Sequence, residues 1–325
     1  MMPLKEISIE IIRRCPNNCV HCSSCSSIKQ TEIIPYGKFC EVINDAVKLG
    51  LKTLCFSGGE PLLHPDFGKM IDFAYSLGVD IYIYTSGIYY YDNKFLSIPN
   101  NLLDIMKNKV RKIIFNVEAS NSRTYDKIMG TSGNFSLLKE SITSAVKSGI
   151  TCEAHFVPMK YNYNEIESTI NLCQKLGIDK ISFLRLVPHG RAEKNQNRIL
   201  LSNDKTKELK CNLQDLADNE KKIGIRIGTP LARGECKHNC EAANGKLNIK
   251  YDGKVYPCEV FKNKKVQFID GYEADSIYDK SLIDIYNDSS YLLIVREQIT
   301  LYSHKNDEEN CIGQKFIRSG IINEK

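Results

Sequence analysis

An α/β fold on a parallel sheet, followed by a small C-terminal unit containing a β-hairpin, is what this sequence predicts. Three observations lead there. Apolar strand-like runs alternate with amphipathic segments of helical period along the first two-thirds of the 325 residues. The helical segments close at glycine just before the next strand, as helix C-termini do. Beyond about residue 200 the alternation stops and cysteines return. Repeated strand–helix units imply parallel strands joined by crossover helices.

Taken in order, Lys5-Glu-Ile-Ser-Ile-Glu-Ile-Ile12 alternates polar and apolar, as the first strand should. A cysteine-bearing loop follows it. After Pro35, the stretch Tyr36 to Leu49 sets Phe39, Val42, Ile43, Ala46 and Leu49 on one face and ends at Gly50. Thr53 to Phe56 is the second strand. Phe67 to Leu77 is a helix closing at Gly78, and Asp80 begins the third strand. Lys112 begins the fourth. Helices over Phe135 to Lys147 and Ile166 to Leu176 close near Gly149 and at Gly177, introducing a fifth strand at Cys152 and a sixth through Phe183. Asn203 to Lys222 reads as a polar amphipathic connector helix, and Asp252-Gly253 between short apolar runs signals a hairpin. The expected division is therefore 1–200 for the main unit, 201–235 for a connector helix and strand, and 236–325 for the C-terminal unit.

The chemistry sits in the loop Cys15-Pro-Asn-Asn-Cys19-Val-His-Cys22. Three cysteines in eight residues directly after a strand read as an iron–sulfur site. A cubane cluster has four irons, so three thiolates leave one iron open to a small molecule. Structural zinc uses similar spacings and is the alternative at this point. The second strand runs into Ser57-Gly58-Gly59-Glu60-Pro61, where two glycines permit close backbone approach and Glu60 can hold a cationic amine. Later cysteines stand as Cys236-Lys-His-Asn-Cys240, Cys258 and Cys311.

Through Cys15, Cys19, Cys22 and Gly58-Gly59-Glu60-Pro61, the chain resembles the radical S-adenosylmethionine (radical SAM) superfamily. Further landmarks keep the order to about residue 192. Thr85-Ser86-Gly87 resembles the Thr-Asn-Gly-like end of the third strand, and Asn116 and Glu118 take the polar places at the end of the fourth. His21 stands where relatives usually carry an aromatic residue, Met129 where they commonly place an arginine, and Pro188-His-Gly190-Arg191 resembles the end of their sixth strand. The resemblance implies a partial (β/α)6 barrel. It also implies a [4Fe–4S] cluster on Cys15, Cys19 and Cys22 with S-adenosylmethionine at the open iron. Gly58, Gly59, Glu60, Pro61, Thr85, Ser86, Asn116, Glu118 and His21 are then the cofactor-binding set, and Cys25 and Glu118 the candidate catalytic residues. The hairpin between Cys240 and Cys258 resembles the auxiliary-cluster domains called SPASM and, in shorter form, twitch. One auxiliary [4Fe–4S] cluster is implied, on Cys236, Cys240, Cys258 and Cys311, with zinc and His238 as the alternative. A low-potential flavodoxin or ferredoxin is the implied electron donor. The substrate is expected to be a peptide, with a small molecule as runner-up because no separate peptide-recognition unit precedes the first strand.

Composition agrees. The chain has 42% hydrophobic and 26% charged residues and a net charge of +5, with no dense basic stripe interleaved with aromatics, so nucleic acid is not expected. No apolar run approaches the roughly 18 residues a membrane span needs, and no signal pattern opens the chain. A cytoplasmic location follows, with the 13 cysteines reduced. Cys40, Cys55, Cys152 and Cys173 read as small buried hydrophobes, Cys211 as inert and His64 as a loop residue. Glu153 and His155 are candidates to face the barrel interior. Lys262-Asn-Lys-Lys265 reads as a solvated loop.

Overall fold

The strand-like runs all become strands in the computed structural model, which describes residues 2–232, 240–262, 273–302, 311 and 313. In chain order they are β1 (Glu6–Ile12), β2 (Thr53–Gly58), β3 (Asp80–Thr85), a separate small hairpin β4 (Tyr89–Tyr91) and β5 (Lys94–Leu96), β6 (Lys112–Asn116), β7 (Cys152–Phe156), β8 (Lys180–Phe183), β9 (Gly224–Ile227), β10 (Lys246–Ile249) and β11 (Val255–Tyr256). Nine of them form one sheet in the order β11-β10-β1-β2-β3-β6-β7-β8-β9. Every pairing is parallel except β10 with β11. Among the described residues β11 and β9 are the two ends and do not meet, so the sheet stays open, as a partial barrel requires.

Helices α1 (Tyr36–Lys48), α2 (Phe67–Ser76), α3 (Asn100–Met106), α4 (Ser122–Met129), α5 (Asn134–Lys147) and α6 (Ile166–Leu176) form the crossovers. Short α7 (Arg191–Lys194) and α8 (Gln196–Ile199) lead to the connector α9 (Asn203–Asn219), and α10 (Leu282–Asp288) and α11 (Ser290–Tyr302) close the described chain. The expected bounds hold to within one to three residues. No described helix is long and apolar enough to cross a membrane.

Period-2 alternation divides the sheet into two faces. Ile7, Ile9, Phe56, Ile83, Phe115 and Phe183 are wholly buried in the apolar core beneath the helices. The other face is polar, and its charges are paired across strands: Lys246 of β10 with Glu6 of β1 at 2.9 Å, and Lys112 and Lys180 with Glu153 of β7 at 3.0 and 2.8 Å. His155 stacks on Tyr84 with ring centroids 5.3 Å apart. Glu153 and His155 thus do face the interior, while Cys55, Cys152 and Cys173 are buried and His64 is held by Ile34 O at 3.0 Å. The predicted hairpin forms around Asp252-Gly253, but it is no separate layer. Its first strand joins the main sheet, Ser8 opposite Asn248 and Ile9 opposite Ile249.

Candidate active site

The carboxyl ends of β1, β2, β3, β6 and β10 converge on one cavity of about 240 Å³, where sites in parallel sheets belong. Cys15, Cys19 and Cys22 line it together with Asn17, His21, Gly58, Gly59, Thr85, Ser86, Asn116 and Met129. The loop is braced from two sides. Asn18 N–H donates to Met129 O at 2.9 Å and Val20 N–H to Ile128 O at 2.8 Å. Gly130 permits that approach: its φ is +65°, and a Cβ there would lie 2.4 Å from Asn18 O. From the far side, Arg191 donates Nε to Cys19 O at 2.7 Å and Nη2 to Ser26 O at 2.8 Å, while its own N–H donates to Cys22 O at 2.9 Å. Arg191 is a functional residue that its motif announced but whose role spacing alone did not reveal.

Gly58 and Gly59 serve the protein before any ligand. Gly59 N–H donates to Ile12 O at 2.6 Å, and a Cβ on Gly59 would lie 2.2 Å from Arg14 O. The two glycines therefore let β2 press its end against the entry to the cysteine loop. Glu60 is fully buried. Its carboxylate accepts from Thr85 Oγ1 at 2.6 Å, Ser86 N–H at 2.9 Å and Ser86 Oγ at 2.6 Å. Burial raises its pKa against these donors. Neither Glu60 nor Pro61 lines the cavity, whereas Thr85 and Ser86 do.

Glu118 stands behind His21, with Oε1 3.6 Å from His21 Nε2 and Oε2 accepting from Val157 N–H at 2.9 Å. Burial lifts its carboxyl to about 8 and, with Arg191 nearby, lowers His21 to about 4. At that separation the two are neutral neighbours rather than an ion pair. Cys25 does not line the cavity, and it sits at φ +52°.

The residues present fit an iron–sulfur cluster. The donor set is thiol, and Asn17 Nδ2, His21 Nδ1 and Ser26 Oγ are buried beside it with no protein partner, donors suited to cluster sulfur. Burial pushes the Cys15 and Cys19 thiols up, so metal binding must release their protons. In the C-terminal unit, Cys240, Cys258 and Cys311 lie close enough for Cys311 to raise Cys240 and Cys240 to raise Cys258. Cys236 and His238 lie outside the described residues. Among the described residues no three Cys, His, Asp or Glu side chains stand at the spacing of one bound ion, so loop and cavity, not a preformed cage, group the sulfurs.

The expectation of a solvated loop from Lys262 fails at its first residue. Lys262 is 4% exposed because its ammonium bonds to Glu10 Oε1 and to the hydroxyls of Ser23 and Ser24. A buried cation needs such partners. Residues 263–265 lie outside the described residues.

Comparison with known proteins places these observations. A family model, "Radical SAM superfamily", matches residues 9–187, and a second, "Iron-sulfur cluster-binding domain" (SPASM), matches 240–312. An AdoMet-dependent heme synthase of Methanosarcina barkeri is 26% identical over 78% of this chain and 76% of its own. A PqqA peptide cyclase of Gluconobacter oxydans is 23% identical over 88% and 77%. Among solved structures, Streptococcus suis SuiB bound to S-adenosylmethionine superposes with a TM-score of 0.76 at 17% identity, covering 98% of this chain and 75% of that one. With the radical SAM model spanning more than half of its length and three thiols at the head of a parallel sheet, this chain is a radical SAM enzyme, a family that works with a [4Fe–4S] cluster and S-adenosylmethionine, and it carries a SPASM domain with an auxiliary iron–sulfur cluster.

Proposed function

We propose that this enzyme abstracts a hydrogen atom from a peptide and so matures it by crosslinking, oxidation or epimerisation. One observation carries the reading. The cavity beside Cys15, Cys19 and Cys22 is walled on its far side by Asn248, Glu259 and Lys262 of the SPASM part, so substrate space is shared by both parts of the chain. The same two-part architecture, over nearly the whole chain, occurs in the PqqA peptide cyclase and in SuiB, which has also been solved bound to its precursor peptide SuiA.

In this reading Cys15, Cys19 and Cys22 hold the active cluster, and Cys236, Cys240, Cys258 and Cys311 the auxiliary one. A cluster held there would supply the one-electron reduction of S-adenosylmethionine from which the hydrogen-abstracting radical chemistry follows. Arg191 and Gly130 fix the cysteine loop. Glu60 acts through Thr85 and Ser86, holding two hydroxyl-bearing residues of the cavity lining in place, and these with Asn116 and His21 are the residues that would hold S-adenosylmethionine. Glu118 packs behind His21, its Oε1 3.6 Å from the ring's Nε2. A low-potential flavodoxin or ferredoxin would supply the electron.

The test is anaerobic turnover of the reconstituted enzyme with S-adenosylmethionine, dithionite and short peptides encoded beside its gene, with deuterated side chains. Deuterium in 5′-deoxyadenosine, with a loss of two hydrogens or solvent deuterium uptake in the peptide, is expected. A second reading, oxidation of a small molecule, is favoured by the likeness to the AdoMet-dependent heme synthase. Deuterium transfer from a small molecule and from none of the peptides would replace the first reading with the second.

A further inference from the structure

The wall of the cavity contributed by β1 and β10 holds two buried acceptors that the protein does not satisfy. Ser8 and Asn248 face each other in register, and Glu10 follows one pleat further along β1. Glu10 is 3% exposed and Asn248 2%. Glu10 Oε1 is occupied, accepting from Ser24 Oγ at 2.9 Å and from Lys262. Glu10 Oε2 and Asn248 Oδ1 have no partner, and both residues line the cavity. Buried acceptors are nearly always bonded, so a pair left open on one cavity marks a place where a donor arrives from outside the chain.

The charge balance says which donor. Lys262 neutralises Glu10 and directs its three N–H protons at Glu10, Ser23 and Ser24, which pins Oε1 and leaves Oε2 as the carboxylate oxygen without a protein donor. An incoming cation would find the carboxylate already paired. A neutral N–H group meets an acceptor strengthened by ionisation with no second charge to bury.

We propose that Glu10 Oε2 and Asn248 Oδ1 form a substrate-anchoring subsite that receives amide N–H groups of a peptide, placing its reacting residue between this wall and the cysteine loop. The proposal rests on the peptide reading above. It makes Glu10 and Asn248 specificity-determining residues and Lys262, four residues after Cys258, the residue that orients Glu10.

The test uses the oxidised holoenzyme with S-adenosylmethionine present and two probes, N-acetylalanine methylamide and its fully N-methylated counterpart, compared by saturation-transfer NMR. The wild type is expected to bind the N–H probe about tenfold more tightly than the N-methylated one, the size of one charge-assisted hydrogen bond. Glu10→Gln, which places a donor at the Oε2 position, and Asn248→Leu should each bring that ratio below about threefold. Should Glu10→Gln lose its iron, Asn248→Leu carries the expectation alone, since it removes an acceptor with no protein partner. Equal binding of the two probes by wild type overturns the proposal. So does a variant that loses affinity for S-adenosylmethionine while keeping wild-type selectivity between the probes, because the acceptors then serve the cofactor. The binding ratio needs no turnover, so a failure of peptide modification alone leaves this subsite standing, and peptide modification without amide selectivity removes only the subsite.

Discussion

Replacing Arg191 with methionine keeps an unbranched apolar stem but withdraws the guanidinium from the cysteine loop. Two bonds are lost, Nε to Cys19 O at 2.7 Å and Nη2 to Ser26 O at 2.8 Å. A hydrogen bond to a charged group contributes about 1.5–3 kcal/mol, and because both are only part-buried the lower figure applies, about 3 kcal/mol for the pair. The main-chain bond from residue 191 to Cys22 O at 2.9 Å survives, as do Asn195 Nδ2 to Val20 O at 2.9 Å and the two bonds to α4. The loop is thus loosened rather than released. If the whole loss is felt globally, at about 2–4 °C per kcal/mol the melting temperature of cluster-free protein falls by about 6–12 °C; if part of it stays local, the fall is smaller and the remainder shows as poorer cluster retention. Calorimetry of the cluster-free protein and iron content after anaerobic reconstitution measure the two parts. Arg191→Lys should recover some of each, since an ammonium can reach one carbonyl but not fork to both. An Arg191→Met protein melting within about 1 °C of wild type and keeping its full iron would refute the bracing role.

Gly130→Ala combines a left-handed φ of +65° with a Cβ 2.4 Å from Asn18 O, and is expected to cost about 2–5 kcal/mol in chemical denaturation together with loss of iron. Glu60→Gln turns an amide nitrogen towards the Thr85 and Ser86 donors; weaker retention of S-adenosylmethionine in equilibrium dialysis and about 1.5–3 kcal/mol of lost stability are expected, and unchanged values in both would contradict the positioning role. Burial lifts the Glu118 carboxyl to about 8 from the ordinary 4.5, so the folded cluster-free protein keeps a proton that the unfolded chain has released. Its stability should therefore fall as pH rises through that window, by a few kcal/mol in all, and Glu118→Gln should flatten the slope in denaturant titrations at successive pH. Cys258→Ser should lower iron from about eight to about four per chain in the reconstituted enzyme, whereas full iron would remove Cys258 from the auxiliary set.

What local pattern encodes was legible beforehand, and what pairing at a distance encodes was not. The strands, the helices closing at Gly50, Gly78, Gly149 and Gly177, and the turn at Asp252-Gly253 all follow from periodicity and backbone chirality within a dozen residues. The alternation of Lys5 to Ile12 marked a strand. It did not say that the polar side is itself enclosed, yet Ser8 and Glu10 are 6% and 3% exposed, with Ser24 and Lys262 bonded to Glu10 over that face. Lys262 was misread for the same reason. A lysine in a charged run is solvated by default, and only the return of residue 262 to Glu10, 252 positions earlier, overturns that default. Glu60 was placed towards a ligand because its motif suggested it, but Thr85 and Ser86, brought beside it by the β2–β3 pairing, take its carboxylate.

These long-range contacts make the SPASM part structurally continuous with the radical SAM part. β10 is a strand of the same sheet, paired with Glu6 to Ile9 along one edge of β1. From Cys258 the chain needs four residues to reach Lys262, whose ammonium touches Ser23 and Ser24, the two residues after Cys22. His189, two residues before Arg191, meets Val260 O at 2.6 Å. The loop that carries three cysteines is therefore gripped by side chains whose own position depends on the hairpin of the C-terminal unit. A shift of the segment from Cys258 to Lys262 on loading of the auxiliary site would be felt at Ser23 and Ser24 through direct bonds, and at Glu10 on the substrate wall. Packed, hydrogen-bonded contacts of this kind transmit displacement because neither side has room to absorb it. Both parts must then be in place before the cavity between them has its working shape, and this explains physically why one chain carries both.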